Sequence, residues 1–181
     1  LQDSAKTAIY SIRSEILKGI GRGEDLSELL QILCLSYERH SPADVRCSVL
    51  LNDNGNLRYG AGPSLPEPYL EATDGMAIGE AAGSCGTALY RCESVFSTDI
   101  SLDPLWDDYR ALAEEFGLEA CWSVPVIVDG EPLASFAVYG ERGRMPSEFE
   151  KALLDGMVSL TGIVISRTHL KESLAREKER L

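Results

Sequence analysis

The reading of the fold turns on residues 79–125, and most of all on Gly83-Ser84-Cys85-Gly86-Thr87-Ala88-Leu89-Tyr90. Ser84 or Thr87 can cap a short helix there, and glycines at 83 and 86 let the backbone turn tightly and come close to whatever lies opposite. A strand pattern follows from Val95 to Ile100, then Asp103-Pro104-Leu105-Trp106, then a helix pattern from Asp107 to Phe116 stopped by Gly117. A second strand pattern, Ala120-Cys121-Trp122-Ser123-Val124-Pro125-Val126, closes the stretch. Short helices and glycine turns between strands predict a sheet with one face covered by irregular structure, which is how small-ligand pockets are built.

Upstream, Asp25 with Glu28 three residues on makes a capping box for a helix whose Leu26, Leu29, Leu30, Leu33, Cys34 and Tyr37 form a broad apolar face. Ser41-Pro42 ends it. Val45, Cys47, Val49 and Leu51 then alternate as a half-buried strand, and Asp53-Asn54-Gly55 turns it back through Leu57-Arg58-Tyr59, a hairpin over residues 44–61. The prolines of residues 62–68 restrict a loop, and a short helix is expected from Pro68 to Thr73. Before Asp25, the apolar residues Ala5, Ile9, Ile12 and Ile16 draw a narrow helical stripe that reads as a coiled-coil seam, and Gly19 to Gly23 break it.

Downstream, Asp129-Gly130 joins the Ala120–Val128 strand to Leu133–Tyr139 in a second hairpin. Pro125 has no N–H for a ladder, so a bulge or an unpaired edge is expected at it. Ser147 and Glu150 open a last helix as a capping box, and Phe149, Leu153, Leu160, Ile163, Leu170, Leu174 and Leu181 run along it as a seam interrupted at Gly156, Arg167 and Glu177. The element order implies an α+β domain: an antiparallel sheet of five or six strands with the Asp25 and Ser147 helices on one face.

The ordered set Gly79-Glu80, Gly83 to Ala88, Asp99-Ile100, Asp103 to Trp106, Tyr109-Arg110, Gly117-Leu118, Ala120 to Ser123 and Pro125 resembles the second half of a bacterial GAF domain. The resemblance covers residues 24–168 and is to GAF modules of multidomain signalling proteins that also carry PAS, GGDEF, EAL or histidine kinase domains. It implies a PAS-related GAF fold, with the terminal helices on one face of the sheet and a pocket of short helices and loops on the other. It also implies a division into an incoming signalling helix (residues 1–22), the GAF domain (23–168) and an outgoing coiled-coil linker helix (169–181).

Composition narrows the function classes. The chain has 181 residues, 44% of them hydrophobic, and a formal charge of -12; that length supports one domain with a real core, and the acidity opposes contact with nucleic acid or anionic lipid. No apolar run approaches the ~20 residues that cross a bilayer, and no segment reads as a signal peptide. Five cysteines without CxxC spacing argue for reduced thiols, hence a cytoplasmic location, and only His40 and His169 accompany them, so neither a metal site nor another cofactor is expected.

The expected ligand-binding residues are Cys85, Thr87, Trp106, Tyr109, Cys121, Trp122 and Ser123. The aromatic rings would line an apolar pocket, with the Trp122 indole and Ser123 hydroxyl as polar handles. Cys85 at a helix start has the setting of a reactive thiol. Phe96, Phe136 and Tyr139 are assigned to the core. His40 ends a charged helix and is a poor haem ligand. By comparison with GAF branches, neither the cysteine pattern of the methionine sulfoxide reductases nor the Asn-Lys-Phe-Asp-Glu set of cyclic-nucleotide binders is found, and no cysteine is clearly placed for a bilin. With no triad and no phosphate loop, no catalytic residue is assigned.

The expected function is therefore regulatory. The chain would bind an unknown small molecule, pair as a homodimer through its terminal helices, and control a downstream output, by resemblance cyclic-di-GMP turnover or a histidine kinase. The alternatives are a dimerisation spacer with a vestigial pocket, and a thiol redox sensor or enzyme using Cys85.

Overall fold

Two reciprocal caps start the helices on either side of the sheet-forming segment. Asp25 accepts the Glu28 N–H at 2.9 Å while Glu28 takes the Asp25 N–H at 2.8 Å, opening α2 (Leu26–His40). Ser147 and Glu150 do the same for α6 (Glu148–Glu179). The computed structural model describes residues 2–181, with side chains from residue 4 onward. Leu1, the first residue of the expected incoming helix, lies outside the described residues.

The first helix, α1 (Gln2–Gly21), leads into α2 and then into the hairpin β1 (Arg46–Asp53) and β2 (Asn56–Ala61). The turn between them places Asn54 and Gly55 at φ 51° and 91°, the left-handed pair that suits a two-residue hairpin. After α3 (Glu67–Thr73) and α4 (Gly83–Arg91) come β3 (Val95–Ser97), a single 3-10 turn at Pro104–Trp106, α5 (Arg110–Glu115), β4 (Ala120–Val128) and β5 (Glu131–Gly140). The five strands lie in the order β2-β1-β5-β4-β3, antiparallel throughout. The fold is thus the expected α+β arrangement.

Helices α1, α2 and α6 cover one face. Their apolar residues, among them Ile12, Leu33, Leu153 and Met157, meet Val49, Trp122 and Phe136 from the sheet in one core. A second core, around Leu50, Tyr69, Leu89, Trp106 and Tyr139, lies on the other face under α3, α4 and α5. Both faces are buried, so β4 reads as an almost continuous apolar run.

Several local expectations are corrected. The α1 stripe is not a free seam: Ala5, Ala8, Ile12 and Ile16 are buried, and Ile9 sits so close to Gly156 of α6 that a Cβ there would come within 2.5 Å of the isoleucine side chain. In α6, Leu153 and Leu160 are likewise buried inside the chain, while Ile163, Leu170 and Leu174 stay exposed. The strand expected over 95–100 is only three residues long, because Asp99 bends the chain by accepting the Ser101 N–H. The 107–116 helix pattern forms only over Arg110–Glu115. Pro125 faces Ser135 of β5, but β3 stops opposite Ser123, so β4 has no neighbour on its other side at that point; the bulge falls between Val126 and Ile127.

Candidate functional site

Alternation along β4 fixes what can face the cavity. Cys121 belongs to the core under α4 and α5, and Ser123 Oγ touches the α4 thiol, so odd positions point there and even positions point to the helices. Trp122 is therefore not a pocket residue, contrary to expectation. Its indole is buried on the helix side, donates to the Arg144 carbonyl at 3.0 Å, and carries the Arg144 guanidinium 5.2 Å from its ring centre.

The first turn of α4 supplies the opposite wall. Gly83 adopts φ 64° and brings its backbone against the Trp106 ring, about 3.6 Å from where a Cβ would lie. Neither expected cap operates at α4: Ala82 is the N-cap and offers no side chain, while Thr87 reaches back to accept the Ala82 N–H at 3.0 Å. Ser84 instead accepts the Trp106 indole N–H at 3.0 Å and leans toward the Cys121 carbonyl at 3.4 Å. Thr87 is fully buried within the helix packing rather than on the cavity surface.

Cys85, Trp106 and Tyr109 do line the cavity, together with Leu50, Met76 and Leu112. Tyr69 and Tyr139, which the sequence left out of the site, close it with their hydroxyls 2.7 Å apart. Only the strand register could have found Tyr139: it stands opposite Cys121, on the same face. The space is part-open to solvent and about 30 Å³, room for roughly one water. Among the described residues, no lysine, arginine, aspartate, glutamate or histidine lines it.

Behind Cys85, outside the cavity lining, the same face of the sheet is rich in thiols and hydroxyls, so Cys121 and Ser123 back the cavity without lining it, contrary to expectation. The Ser123 hydroxyl lies 3.1 Å from the Cys85 sulfur and 3.6 Å from that of Cys121. Hydrogen bonding from the Cys121 thiol, against the opposing burial and with help from Ser123, lowers the Cys85 pKa below its ordinary value; burial raises that of Cys121. Ser48, Ser97 and Ser135 are buried; the Ser48 and Ser97 hydroxyls have no partner, and Ser135 has none beyond the Cys85 thiol, whose pKa it helps to lower. Their register places all three on this face: Ser48 opposite Ala137, Ser97 opposite Cys121 and Ser135 opposite Leu50. Among the described residues no group of three His, Cys, Asp or Glu side chains is placed to hold a metal ion. His40 is on the helix side, its ring bonded to the Ser36 carbonyl at 2.8 Å.

The class is an α+β module: a five-stranded antiparallel sheet with terminal helices behind it and a small pocket in front. Residues 23–166 match the family model described as GAF domain, and the chain belongs to that family. It is 31% identical over 171 residues to the methyl sulfide methyltransferase-associated sensor of Methanosarcina acetivorans; the match takes in 93% of this chain and 17% of that protein, so the chain spans about a sixth of the relative's length. Its fold is that of the GAF domain of a Coxiella burnetii phosphoenolpyruvate-protein phosphotransferase, with a TM-score of 0.78, 18% identity, and 95% and 98% of the two chains covered. It also resembles the free methionine-R-sulfoxide reductase of Neisseria meningitidis, with a TM-score of 0.68, 15% identity, and 92% and 91% covered. At those identities the two structures speak for the fold alone.

Proposed function

We propose that this GAF domain is the regulatory module of a longer signalling protein, and that it holds a small uncharged molecule in a cavity that widens toward the serines behind Cys85. The observation that carries the reading is the set of three buried hydroxyls, Ser48 and Ser97 unpartnered and Ser135 met only by the Cys85 thiol, on the sheet face that backs the cavity, although none of them is in its lining. A buried hydroxyl without a partner costs about 1–3 kcal/mol, a cost that a bound polar molecule relieves. The absence of charged side chains from the lining favours a neutral guest. Because the space is about 30 Å³, a larger guest must lift the roof formed by Met76, Tyr109 and Leu112. Binding is then coupled to a change of shape, by as much as the guest prefers one arrangement over the other.

The route outward is short. Ser123 on the cavity face and Trp122 on the helix face are neighbours on β4, and Trp122 meets Arg144, which bonds Glu150 in the first turn of α6. From there α6 runs past the domain with Ile163, Leu170 and Leu174 exposed. Ile163 and Leu170, with Ile127 and Val158, also border a surface groove of about 580 Å³. A second copy pairing along this strip would give the homodimer, with residues 169–181 as the helix leading to the output, cyclic-di-GMP turnover or a histidine kinase by resemblance. Native mass spectrometry of protein purified from its host tests the sensing half. A retained small molecule, lost in Ser135→Ala, is the expected result. Protein that carries no added mass in any preparation would overturn the ligand-binding reading and leave the spacer and thiol functions.

A further inference from the structure

Cys85 and Cys121 come from different elements, the first turn of α4 and the middle of β4, yet both sulfurs lie within hydrogen-bond reach of the single Ser123 hydroxyl, at 3.1 and 3.6 Å. Cys85 also borders the one-water space described above. The chain's other buried thiols provide the contrast. Cys34 and Cys47 lie in the apolar core behind the sheet, where burial pushes both thiols up. Cys92 is exposed at the end of α4. Only one pair therefore combines a neighbouring thiol, polar hydroxyls around the sulfur and an adjacent space that a very small reagent can occupy.

We propose that Cys85 and Cys121 form a dithiol that a small peroxide converts to a disulfide beside this cavity, tethering α4 to β4. The inference rests on the regulatory reading of the same site and names a chemical input to it.

The atoms balance in two steps. The Cys85 sulfur, as thiolate, attacks one peroxide oxygen; the O–O bond breaks, Cys85 becomes a sulfenic acid, and the other oxygen leaves as water or an alcohol once it takes a proton. The Cys121 sulfur then attacks the sulfenic sulfur, the S–O bond breaks, the S–S bond forms, and the hydroxide leaves with the Cys121 proton as water. The two thiols give up two electrons, and the peroxide accepts them. Neighbouring hydrogen-bond donors favour the thiolate at Cys85, while Cys121, raised by burial, stays protonated until the second step. A dithiol reductant reverses the link.

The test uses the full chain with Cys92→Ser, which removes the exposed thiol, treated under native conditions with hydrogen peroxide. The expected result is a mass loss of about two hydrogens with a non-reducing peptide map linking Cys85 to Cys121, reversed by dithiothreitol. In Cys121→Ser the link is lost and a sulfenic acid accumulates at Cys85, trapped by dimedone when the treated chain is unfolded. The wild-type chain supports the same map, so the outcome does not depend on a variant folding. Modification confined to Cys92 in the wild-type chain, or a link between other cysteines, overturns the inference and leaves the regulatory reading to the native mass measurement. A Cys85–Cys121 link that forms without any change in amide exchange along α6 upholds the thiol chemistry and counts against the regulatory reading instead.

Discussion

The Arg144 guanidinium lies over the Trp122 ring, 5.2 Å from its centre, and ends 2.7 Å from the Glu150 carboxylate. One side chain thus joins the rear face of β4 to the start of α6. Glu150 is fully buried and also takes the Ser41 hydroxyl at 3.1 Å and its own N-cap N–H at 2.9 Å. Glu150→Ala should destabilise the chain by about 2–3 kcal/mol, less than a fully buried pair because Arg144 keeps 25% of its side chain in solvent. Urea unfolding at neutral pH, followed by the fluorescence of Trp106 and Trp122, measures it.

The same carboxylate gives the stability a pH dependence. Burial alone would raise its pKa, but the Arg144 guanidinium and the Ser147 N–H outweigh it and hold Glu150 below the ordinary 4.5. A depressed acid stabilises the fold above 4.5 and loses that contribution as the pH falls through its folded value. Wild-type stability should therefore fall from about pH 5 downward, and Glu150→Gln should lose less over the same range. Urea midpoints collected at a series of pH values show whether the two curves converge in acid.

Gly156 of α6 exists to admit Ile9 of α1. A Cβ at 156 would lie 2.5 Å from Ile9 Cδ1 and 2.6 Å from its Cγ1. Gly156→Ala should cost about 1–3 kcal/mol through overpacking, despite the gain in helix propensity. Adding Ile9→Ala should recover part of the loss, and a double-mutant cycle reads the coupling.

Cys92 closes α4 with φ 54°, in the left-handed region where an L side chain is strained. Cys92→Gly should raise stability by about 1 kcal/mol, or the melting temperature by about 2–4 °C for a chain of this size. Calorimetry that finds a lower melting temperature would show that the Cys92 side chain holds the cap.

The exposed residues of α6 separate pairing from folding. Ile163 is 62% exposed and Leu170 64%, whereas Leu160 is 8% exposed. Ile163→Glu and Leu170→Glu should halve the sedimenting mass with little change in unfolding midpoint, while Leu160→Glu should unfold the chain. Unchanged sedimentation in the first two would remove α6 as the pairing element.

What the sequence made legible was mostly local. The boxes at Asp25 and Ser147 and the turns at Asn54-Gly55 and Asp129-Gly130 depend on residues a few positions apart, and each stands where its pattern says. The face of Trp122 was also within reach, since alternation forbids it to share a side with Cys121 and Ser123. Tyr69 and Tyr139 were not, because only the register of β4 against β5 and the placement of α3 bring them to Cys85. The stripe Ala5, Ile12, Ile16 has the same spacing whether its partner is α6 of its own chain or a helix of another, and only packing distinguishes the two.

The shortness of β3 has one more consequence. Beyond Ser123, β4 presents a bare margin, and there Pro125 withholds a donor and the irregularity after Val126 breaks the spacing. A foreign strand laid along that margin finds no regular ladder to copy, so the margin is poor seed for fibrous or domain-exchanged growth. Strand-to-strand association is thereby disfavoured on that side of the sheet.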